Sequence, residues 1–176
     1  MLIALTSACR VQSLHLLSVQ GLKKIFHSYT LFFDGLLKQN RPNWINDSME
    51  LFAYPLDRRL CVLFVLKEYL KRTRTERKRN NCSKLLISYV IPYKQVSGNT
   101  ISRWLKCVMA KAGIDVNKYS SHSIRSAAVS KANVNAVPVD NILKVAGWSN
   151  AKTFAKFYKK PIKTDETKFQ NAVLKV

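Results

Sequence analysis

The chain has 176 residues, and its 30 lysines and arginines against 10 aspartates and glutamates give a formal net charge of +20. Apolar residues make up 47% of the sequence, which supports a folded core and excludes a disordered chain. The excess of positive charge predicts a polyanionic partner, nucleic acid first and an anionic membrane surface second. No apolar run is long enough to span a membrane.

The beginning of the chain predicts one helix and two strands. Apolar residues at helical spacing predict a first helix over residues 2–19. The aromatic and β-branched residues of 23–33 predict a strand, and "SMELFAYPL" predicts a second strand that Pro55 ends. Gly35 and Pro42 mark a turn or hairpin loop between the two strands.

The rest of the chain predicts five helices. Residues 58–72 predict the first of them, and the basic run 73–81 predicts an exposed loop after it. A short apolar segment, "KLLISYV", precedes the other four helices. Their predicted start and stop residues are Thr100 and Gly113, Ser120 or Ser121, Pro138 and Gly147, and Asn150 and Pro161.

These elements predict a mainly α (α+β) domain with a small antiparallel β hairpin. The domain covers residues 1–162, and a lysine-rich tail covers residues 163–176. The four cysteines are scattered, form no CxxC pair and have no histidine at a zinc-like spacing, so we expect reduced, buried thiols and no metal site. They are Cys9, Cys61, Cys82 and Cys107.

The stretch "YSSHSIRSAA" places His122 and Arg125 three positions apart in the first turn of a predicted helix. At that spacing both side chains lie on one face, where free backbone N–H groups and the helix dipole favour an anion. Arginine offers a bidentate fork for phosphate oxygens, and histidine can exchange protons near neutral pH. Taken alone, the two residues could equally be an exposed pair without a role, because this spacing arises by chance in many helices.

The downstream sequence adds two residues in a characteristic order. "AGWSN" contains Trp148, and "TFAKFYKKP" contains Tyr158. The succession His122, Arg125, Trp148 and Tyr158 resembles the C-terminal motif of the tyrosine recombinases, DNA integrases that cut and rejoin DNA through a phosphotyrosine. The sequence of residues 122–162 is most similar to those of the recombinases of eukaryotic mobile elements, the Crypton and DIRS-like groups.

The same resemblance implies an earlier arginine in a helix and a lysine on a β hairpin. "LTSACRVQSLHLL" resembles the first motif of the family and makes Arg10 the first arginine. Lys38, in the predicted hairpin loop, is the natural lysine, and Lys23, Lys24 and Arg41 compete with it. The resemblance therefore extends over nearly the whole chain and implies the fold of a tyrosine recombinase catalytic domain.

The resemblance also implies a role for each residue. Tyr158 would attack the scissile phosphate and form a 3′-phosphotyrosine with release of a 5′-hydroxyl. Arg10 and Arg125 would neutralise the charge that builds on the non-bridging oxygens. Lys38 would protonate the leaving oxygen.

Two further residues would complete this site. The indole N–H of Trp148 would add one hydrogen-bond donor, and His122 would assist proton movement at the tyrosine or hold the phosphate. The implied mechanism needs no cofactor and no metal ion, and the sequence offers no cluster of carboxylates for Mg²⁺.

The sequence departs from the best-known recombinases in three respects. Their tyrosine lies one position earlier, where this chain has Phe157, and a shift of one residue turns a helical side chain by about 100°. Ser13 stands where an acidic residue often orients the first arginine. The N-terminal helical domain with which these enzymes clamp DNA is also missing, so we expect this chain alone to bind and recombine DNA weakly.

Double-stranded DNA is the predicted partner, in an intracellular and nuclear setting. Lys94, Arg103 and Lys106 surround a predicted helix start and are expected to contact backbone phosphates. The basic run Lys71–Arg79 could touch DNA, act as a nuclear signal or be a solvated loop. The resemblance implies a tetramer on DNA, formed through the tail after Pro161.

Two other functions are compatible with the charge. The chain could be a DNA-binding remnant of a mobile-element recombinase that has lost useful catalysis. It could also be a basic RNA- or ribosome-associated protein, although that function would leave the ordered motif unexplained. A covalent adduct between protein and DNA would distinguish the enzyme from both alternatives.

Overall fold

A computed structural model describes residues 1–38, 40, 42, 47–148 and 150–157, apart from the side chains of Thr153 and Phe157. Helices predominate over this part of the chain, which also contains one small sheet. The helices are α1 (Leu2–Ser7), α2 (Val11–Leu16), α3 (Val62–Arg72), α4 (Arg74–Arg79), α5 (Gly98–Lys111), α6 (Ser123–Val134), α7 (Val139–Ala146) and α8 (Ala151–Phe157). The strands are β1 (Leu17–Ile25), β2 (Ser28–Phe33) and β3 (Ser48–Phe52).

The sheet is antiparallel in the order β1-β2-β3. Its first turn lies at Phe26 and His27, so residues 23–33 form a hairpin and the prediction of a single strand there was wrong. The second connection runs from Asp34 to Asp47 and carries Lys38, as the predicted hairpin loop required. The mainly α fold with a small antiparallel sheet is confirmed.

The N-terminal segment is not the continuous helix predicted over residues 2–19. Helix α1 ends at Ser7, Ala8 adopts a left-handed conformation with φ of 47°, and α2 begins only at Val11. Leu17 then opens β1. The apolar residues of this segment do share one core, because α1, α2 and the start of β1 each contribute a buried residue to the main cluster.

Helix α4 replaces the exposed loop that was predicted for residues 73–81. Its basic residues face solvent with one exception, because Arg77 is buried. The Arg77 guanidinium donates hydrogen bonds to the carbonyls of Lys84 and Leu85 and lies over the Tyr69 ring, 5.5 Å from its centroid. The charge run therefore contains a structural residue that fixes α4 to the segment after it.

The caps of the later helices agree with the predictions in part. Asn150 accepts a hydrogen bond from the Lys152 amide at 2.7 Å, and Gly147 ends α7 with φ of 64°, both as expected. Helix α5 begins at Gly98, and its cap is Ser97, whose hydroxyl accepts from the Thr100 amide at 3.2 Å. The Thr100 cap was therefore wrong because both the cap and the helix start lie three residues earlier.

The start of α6 also differs from its prediction. His122 itself occupies the N-cap position, without a side-chain capping bond. Ser121 instead shares a hydrogen bond of 2.6 Å with Ser102 of α5, and the Ser120 amide donates to Ser123. Neither serine caps the helix, so His122 is the residue at the N-terminus of α6.

Two apolar clusters hold the structure together. The main core lies between the sheet and helices α1, α2, α3 and α5, with Leu17, Leu31 and Leu85 fully buried. A smaller cluster joins Ala8, at the end of α1, to α6, α7 and α8. None of the helices in the described part of the chain is both long and apolar enough to cross a membrane.

Candidate active site

The break between α1 and α2 positions Arg10. Because Ala8 turns the chain in a left-handed conformation, Arg10 becomes the N-cap of α2 with extended backbone angles of −80° and 159°. Its side chain is half-buried. The predicted continuous helix would have placed Arg10 within a helical surface, whereas the observed break places it at a corner between two helices.

Arg125 lies one turn into α6 and is the most deeply placed cation of the site, with 2% of its surface exposed. Its guanidinium donates to the carbonyl of Ala8, at the end of α1, and to the carbonyl of Ala146 at 2.7 Å, at the end of α7. Burial of a cation is costly unless charge-assisted hydrogen bonds offset it. These two bonds connect three helices through one side chain.

Trp148 packs directly on Arg125. The left-handed Gly147 turns the chain out of α7, and the Trp148 amide donates to the Leu143 carbonyl at 2.9 Å. The Arg125 guanidinium carbon then lies 4.3 Å from the centroid of the Trp148 ring, a cation–π contact. Phe154 of α8 lies against the other part of the indole, at 6.1 Å between ring centroids.

His122, at the N-cap of α6, lies near both arginines. Part of the imidazole reaches solvent, and burial of the rest lowers the pKa of His122 below its usual value. The positive charges of Arg125 and Arg10 lower this pKa further. Arg10, which lies more than a hundred positions before His122 in the sequence, is therefore close enough to act on it electrostatically.

Cys9 belongs to the same corner, although sequence reasoning gave it no role there. Burial raises the pKa of the Cys9 thiol, while a hydrogen bond with Ser7 and the charge of Arg125 act in the opposite direction. A thiol with a raised pKa is a poor nucleophile at neutral pH. The only sequence signal for its position was that it precedes Arg10.

Lys38 is exposed on the connection between β2 and β3. Buried Leu37 anchors this part of the loop, and its carbonyl accepts from the Asn40 amide at 2.9 Å. At the base of the loop, Lys84 forms an ion pair of 2.9 Å with Asp34. Neither residue of this pair was singled out in the sequence, where they lie fifty positions apart.

The competing lysines occupy a different place. Lys23 and Lys24 lie on β1, where their ammonium groups sit over the rings of Phe32 and Tyr29. The remaining competitor, Arg41, lies outside the described residues, as do Tyr158 and the tail 163–176. Helix α8 is described as far as Phe157, the residue before the predicted nucleophile.

The three residues predicted to contact DNA are all exposed. Arg103 and Lys106 lie three positions apart on α5 and therefore on one face of that helix. Lys94 lies in the tight loop before α5, where its carbonyl accepts from the Ser88 amide at 2.8 Å. This geometry leaves all three cations available to phosphates.

The cations Arg10 and Arg125 thus share one corner with the imidazole of His122, and the Trp148 ring lies on Arg125. Such a group of fixed donors can stabilise negative charge on phosphate oxygens without a rearrangement of the protein. The described residues include no group of three His, Cys, Asp or Glu side chains that could hold a metal ion.

The sequence profile of the phage integrase family matches residues 52–164. The chain belongs to this family. The match includes His122, Arg125, Trp148 and Tyr158, whereas Arg10 and Lys38 precede it. No match was found among curated protein sequences.

Solved structures of recombinases share the fold of this phage integrase family member. XerA recombinase is 16% identical with a TM-score of 0.64, over 97% of this chain and 52% of that one. XerH site-specific recombinase bound to difH substrate, in a pre-cleavage complex, is 14% identical with a TM-score of 0.65, over 98% and 44%. A post-cleavage XerH complex with palindromic difH substrate is 13% identical with a TM-score of 0.68, over 98% and 43%.

These identities are low, so the likeness establishes the fold alone. The chain spans about half the length of the recombinases it matches, or somewhat less. The shared part includes both the sheet and the helices that carry Arg10, His122 and Arg125, because nearly the whole of this chain is aligned.

Proposed function

We propose that this chain is the catalytic domain of a site-specific DNA recombinase that cuts and rejoins double-stranded DNA through a phosphotyrosine. The observation that supports the proposal is the position of Arg125, which shares α6 with His122, donates to the Ala8 carbonyl two residues before Arg10, and packs on Trp148. Family membership and the fold shared with the XerA and XerH recombinases support it. The net charge of +20 fits a DNA partner.

In the proposed reaction, the Tyr158 oxygen bonds to phosphorus while the bond from phosphorus to the 5′ oxygen breaks. The products are a 3′-phosphotyrosine and a 5′-hydroxyl, and the reverse attack by a 5′-hydroxyl rejoins the strand. Arg10 and Arg125 hold the non-bridging oxygens as their charge increases in the transition state. Lys38 gives its proton to the departing 5′ oxygen.

The neighbours of the arginines have supporting roles in this proposal. The lowered pKa keeps His122 neutral at pH 7, so one ring nitrogen can accept the tyrosine proton and the other can donate to the phosphate. Trp148 packs on Arg125 and so restricts the guanidinium to one orientation, and its indole N–H adds a donor. None of these steps requires a cofactor.

Finer features of the function are part of the same proposal. The wording of residues 122–162 supports a recombinase of the Crypton or DIRS-like mobile elements, and such an element acts on DNA in the nucleus. Exposed Lys94, Arg103 and Lys106 would contact backbone phosphates. Assembly as a tetramer through the tail after Pro161 completes the proposal.

Covalent capture tests the proposed reaction. Because the target sequence is unknown, the chain is incubated with a pool of nicked duplexes of random sequence, in which the cleaved end diffuses away and traps the intermediate. We expect an adduct that survives denaturation, forms in EDTA and carries the DNA on Tyr158 in a peptide map. Tyr158→Phe should abolish the adduct, whereas Tyr119→Phe, a matched change at an exposed tyrosine, should preserve it.

The contrary outcomes are equally clear. An adduct that persists in Tyr158→Phe would show that Tyr158 is not the nucleophile. Binding without any adduct, in this chain and in a version fused to an N-terminal clamping domain, would reduce the function to DNA binding.

A further inference from the structure

We propose that Lys84 is a positioning residue that holds the base of the loop carrying Lys38. The inference rests on the proposed function, in which Lys38 protonates the leaving oxygen. The sequence gives no sign of this role, because Lys84 lies in the short apolar segment "KLLISYV", which belongs to no motif. The structure brings it to the start of the β2–β3 connection.

The ammonium group of Lys84 makes two bonds to one residue. Its Nζ lies 2.9 Å from a carboxylate oxygen of Asp34 and donates to the Asp34 carbonyl at 3.1 Å. The Lys84 side chain is only 14% exposed, whereas that of Asp34 is 59% exposed. Contact with both the side chain and the main chain of Asp34 restricts the first residue of the loop in orientation as well as position.

The backbone of Lys84 is itself held firmly. Buried Arg77 donates to the carbonyls of Lys84 and Leu85, and the Leu85 amide donates to the Leu17 carbonyl at 2.7 Å. Ser18 pairs with Lys84 across an isolated β-bridge. A lysine side chain is usually flexible. The main chain of Lys84 is hydrogen-bonded to the segments on both sides, so its side chain can hold Asp34 in a fixed position.

The bond between Lys84 and Asp34 connects the loop of Lys38 to α2, the helix that Arg10 caps. The Asp34 amide donates to the Leu16 carbonyl at 2.8 Å, at the end of α2, and Arg10 caps the start of that helix. Six helical residues rise about 9 Å, and the four residues from Asp34 to Lys38 reach at most about 14 Å. The position of Asp34 at the end of α2 therefore limits how far Lys38 can lie from Arg10.

The ion pair of Lys84 and Asp34 should matter more for the position of the loop than for the stability of the fold. An ion pair whose carboxylate is largely exposed contributes little to the free energy of unfolding. Misplacement of a catalytic group by about 1 Å, in contrast, can slow a reaction by about a hundredfold. Loss of Lys84 should therefore weaken proton transfer by Lys38 much more than it weakens the fold.

A modified substrate isolates the protonation step. When sulfur replaces the bridging 5′ oxygen, the bond from phosphorus to sulfur breaks and a thiolate leaves, which needs no proton because thiols have a pKa of about 8.5. Cleavage of this substrate should therefore not depend on Lys38 or its position. Rates of adduct formation are compared on the ordinary and the sulfur-bridged duplex.

We expect Lys84→Met and Asp34→Asn to slow cleavage of ordinary DNA by about tenfold to a hundredfold, and to cleave the sulfur-bridged duplex at nearly the wild-type rate. Lys38→Ala should behave in the same way with a larger loss on ordinary DNA, about 10² to 10⁴-fold. Lys67→Met and Asp57→Asn, a lysine on α3 and an exposed ion pair with Arg59, are the matched controls and should not change either rate.

The conservative variant separates positioning from proton donation by Lys84 itself. Lys84→Arg keeps a cation that can bond Asp34 but cannot release its proton, so it should retain most activity on ordinary DNA. If Lys84→Arg were as slow as Lys84→Met while Asp34→Asn stayed active, Lys84 would be the acid and the inference would be overturned. Equal losses of Lys84→Met on both substrates would overturn it as well.

A measurement without catalysis distinguishes this inference from the proposed function. Hydrogen exchange at the Asp34 amide should be at least about tenfold faster in Lys84→Met, while the midpoint of thermal unfolding changes little. Unchanged exchange would overturn the positioning role even in an active enzyme. An absence of adduct in the wild type on both substrates would instead overturn the proposed function, and the exchange rate would still decide whether Lys84 holds the loop.

Discussion

Arg125 illustrates how one residue can serve both the fold and the proposed chemistry. Its guanidinium bonds the ends of α1 and α7 and packs on Trp148 while its own backbone belongs to α6. An uncompensated buried cation would cost several kcal/mol, and these contacts offset that cost. The same contacts restrict the guanidinium to one orientation, which is what stabilisation of a transition state requires.

His122 offers a direct measure of how closely the cations converge. Because Arg10 and Arg125 both lower its pKa, Arg10→Gln should move the pKa of His122 upward, toward the usual value near 6.5. Titration of the imidazole by NMR measures this shift. Arg59→Gln, which removes an arginine paired with Asp57 elsewhere, is the control and should leave the His122 pKa in place. Equal pKa values in Arg10→Gln and the wild type would mean that Arg10 lies too far away to act.

The lowered pKa also sets the direction of a pH effect on stability. Since the folded protein binds the His122 proton less readily than the unfolded chain, acid favours unfolding. The contribution of this group is present above the unfolded pKa of about 6.5 and is lost progressively below it. His122→Gln should flatten the dependence of the unfolding free energy on pH in that range.

At the scale of elements, α4 shows how a charge pattern can mislead. The basic run 73–81 predicts a solvated loop because each charge, taken alone, prefers water. Arg77 instead turns inward, where Tyr69 and the carbonyls of Lys84 and Leu85 satisfy its guanidinium. No local feature of the sequence distinguishes Arg77 from its exposed neighbour Arg79.

Arg77→Ala and Arg79→Ala are therefore a matched pair on one helix. Arg77→Ala leaves two carbonyls without their charged donor, and we expect it to lower the free energy of unfolding by about 2–4 kcal/mol. Arg79→Ala should change it by less than about 0.5 kcal/mol because Arg79 is exposed. Urea unfolding monitored by circular dichroism measures both values. Similar small changes in the two variants would remove Arg77 from its structural role.

What the sequence revealed of the fold depended on the range of the interaction concerned. The cap at Asn150 and the end of α7 at Gly147 involve neighbours in the chain, so their residue types indicated them. The break at Ala8 has no such signal, because alanine favours a helix and the turn is stabilised by Arg125 from a distant element.

The same rule applies to the candidate site. His122, Arg125 and Trp148 lie within one stretch of helices, so their order along the sequence could be compared directly with the motif of the recombinases. Arg10 could be proposed only from a family resemblance, because its approach to His122 depends on the packing of α1 on α6. The pair of Lys84 and Asp34 was not predictable, since one strand and two helices separate them along the chain.

At the scale of the whole molecule, the positive charge is unevenly distributed along the chain. No aspartate or glutamate occurs between Arg77 and Ile114, a range that contains eight lysines and arginines and the whole of α5. Lys94, Arg103 and Lys106 lie within this range, so no carboxylate from the same segment neutralises them. This excess of positive charge along the segment favours the approach of a polyanion to α5.

Salt dependence tests whether this segment contacts DNA phosphates. Each phosphate that a cation neutralises releases counterions, so the logarithm of the binding constant should fall linearly with the logarithm of the salt concentration. Lys106→Gln should reduce the magnitude of that slope by about 1, with weaker binding to every DNA sequence. Lys67→Gln, on α3, is the control and should preserve the slope. If both variants kept the wild-type slope, α5 would not face the DNA backbone, and the remaining basic surface, including Lys71 and Arg74, would have to supply the contacts.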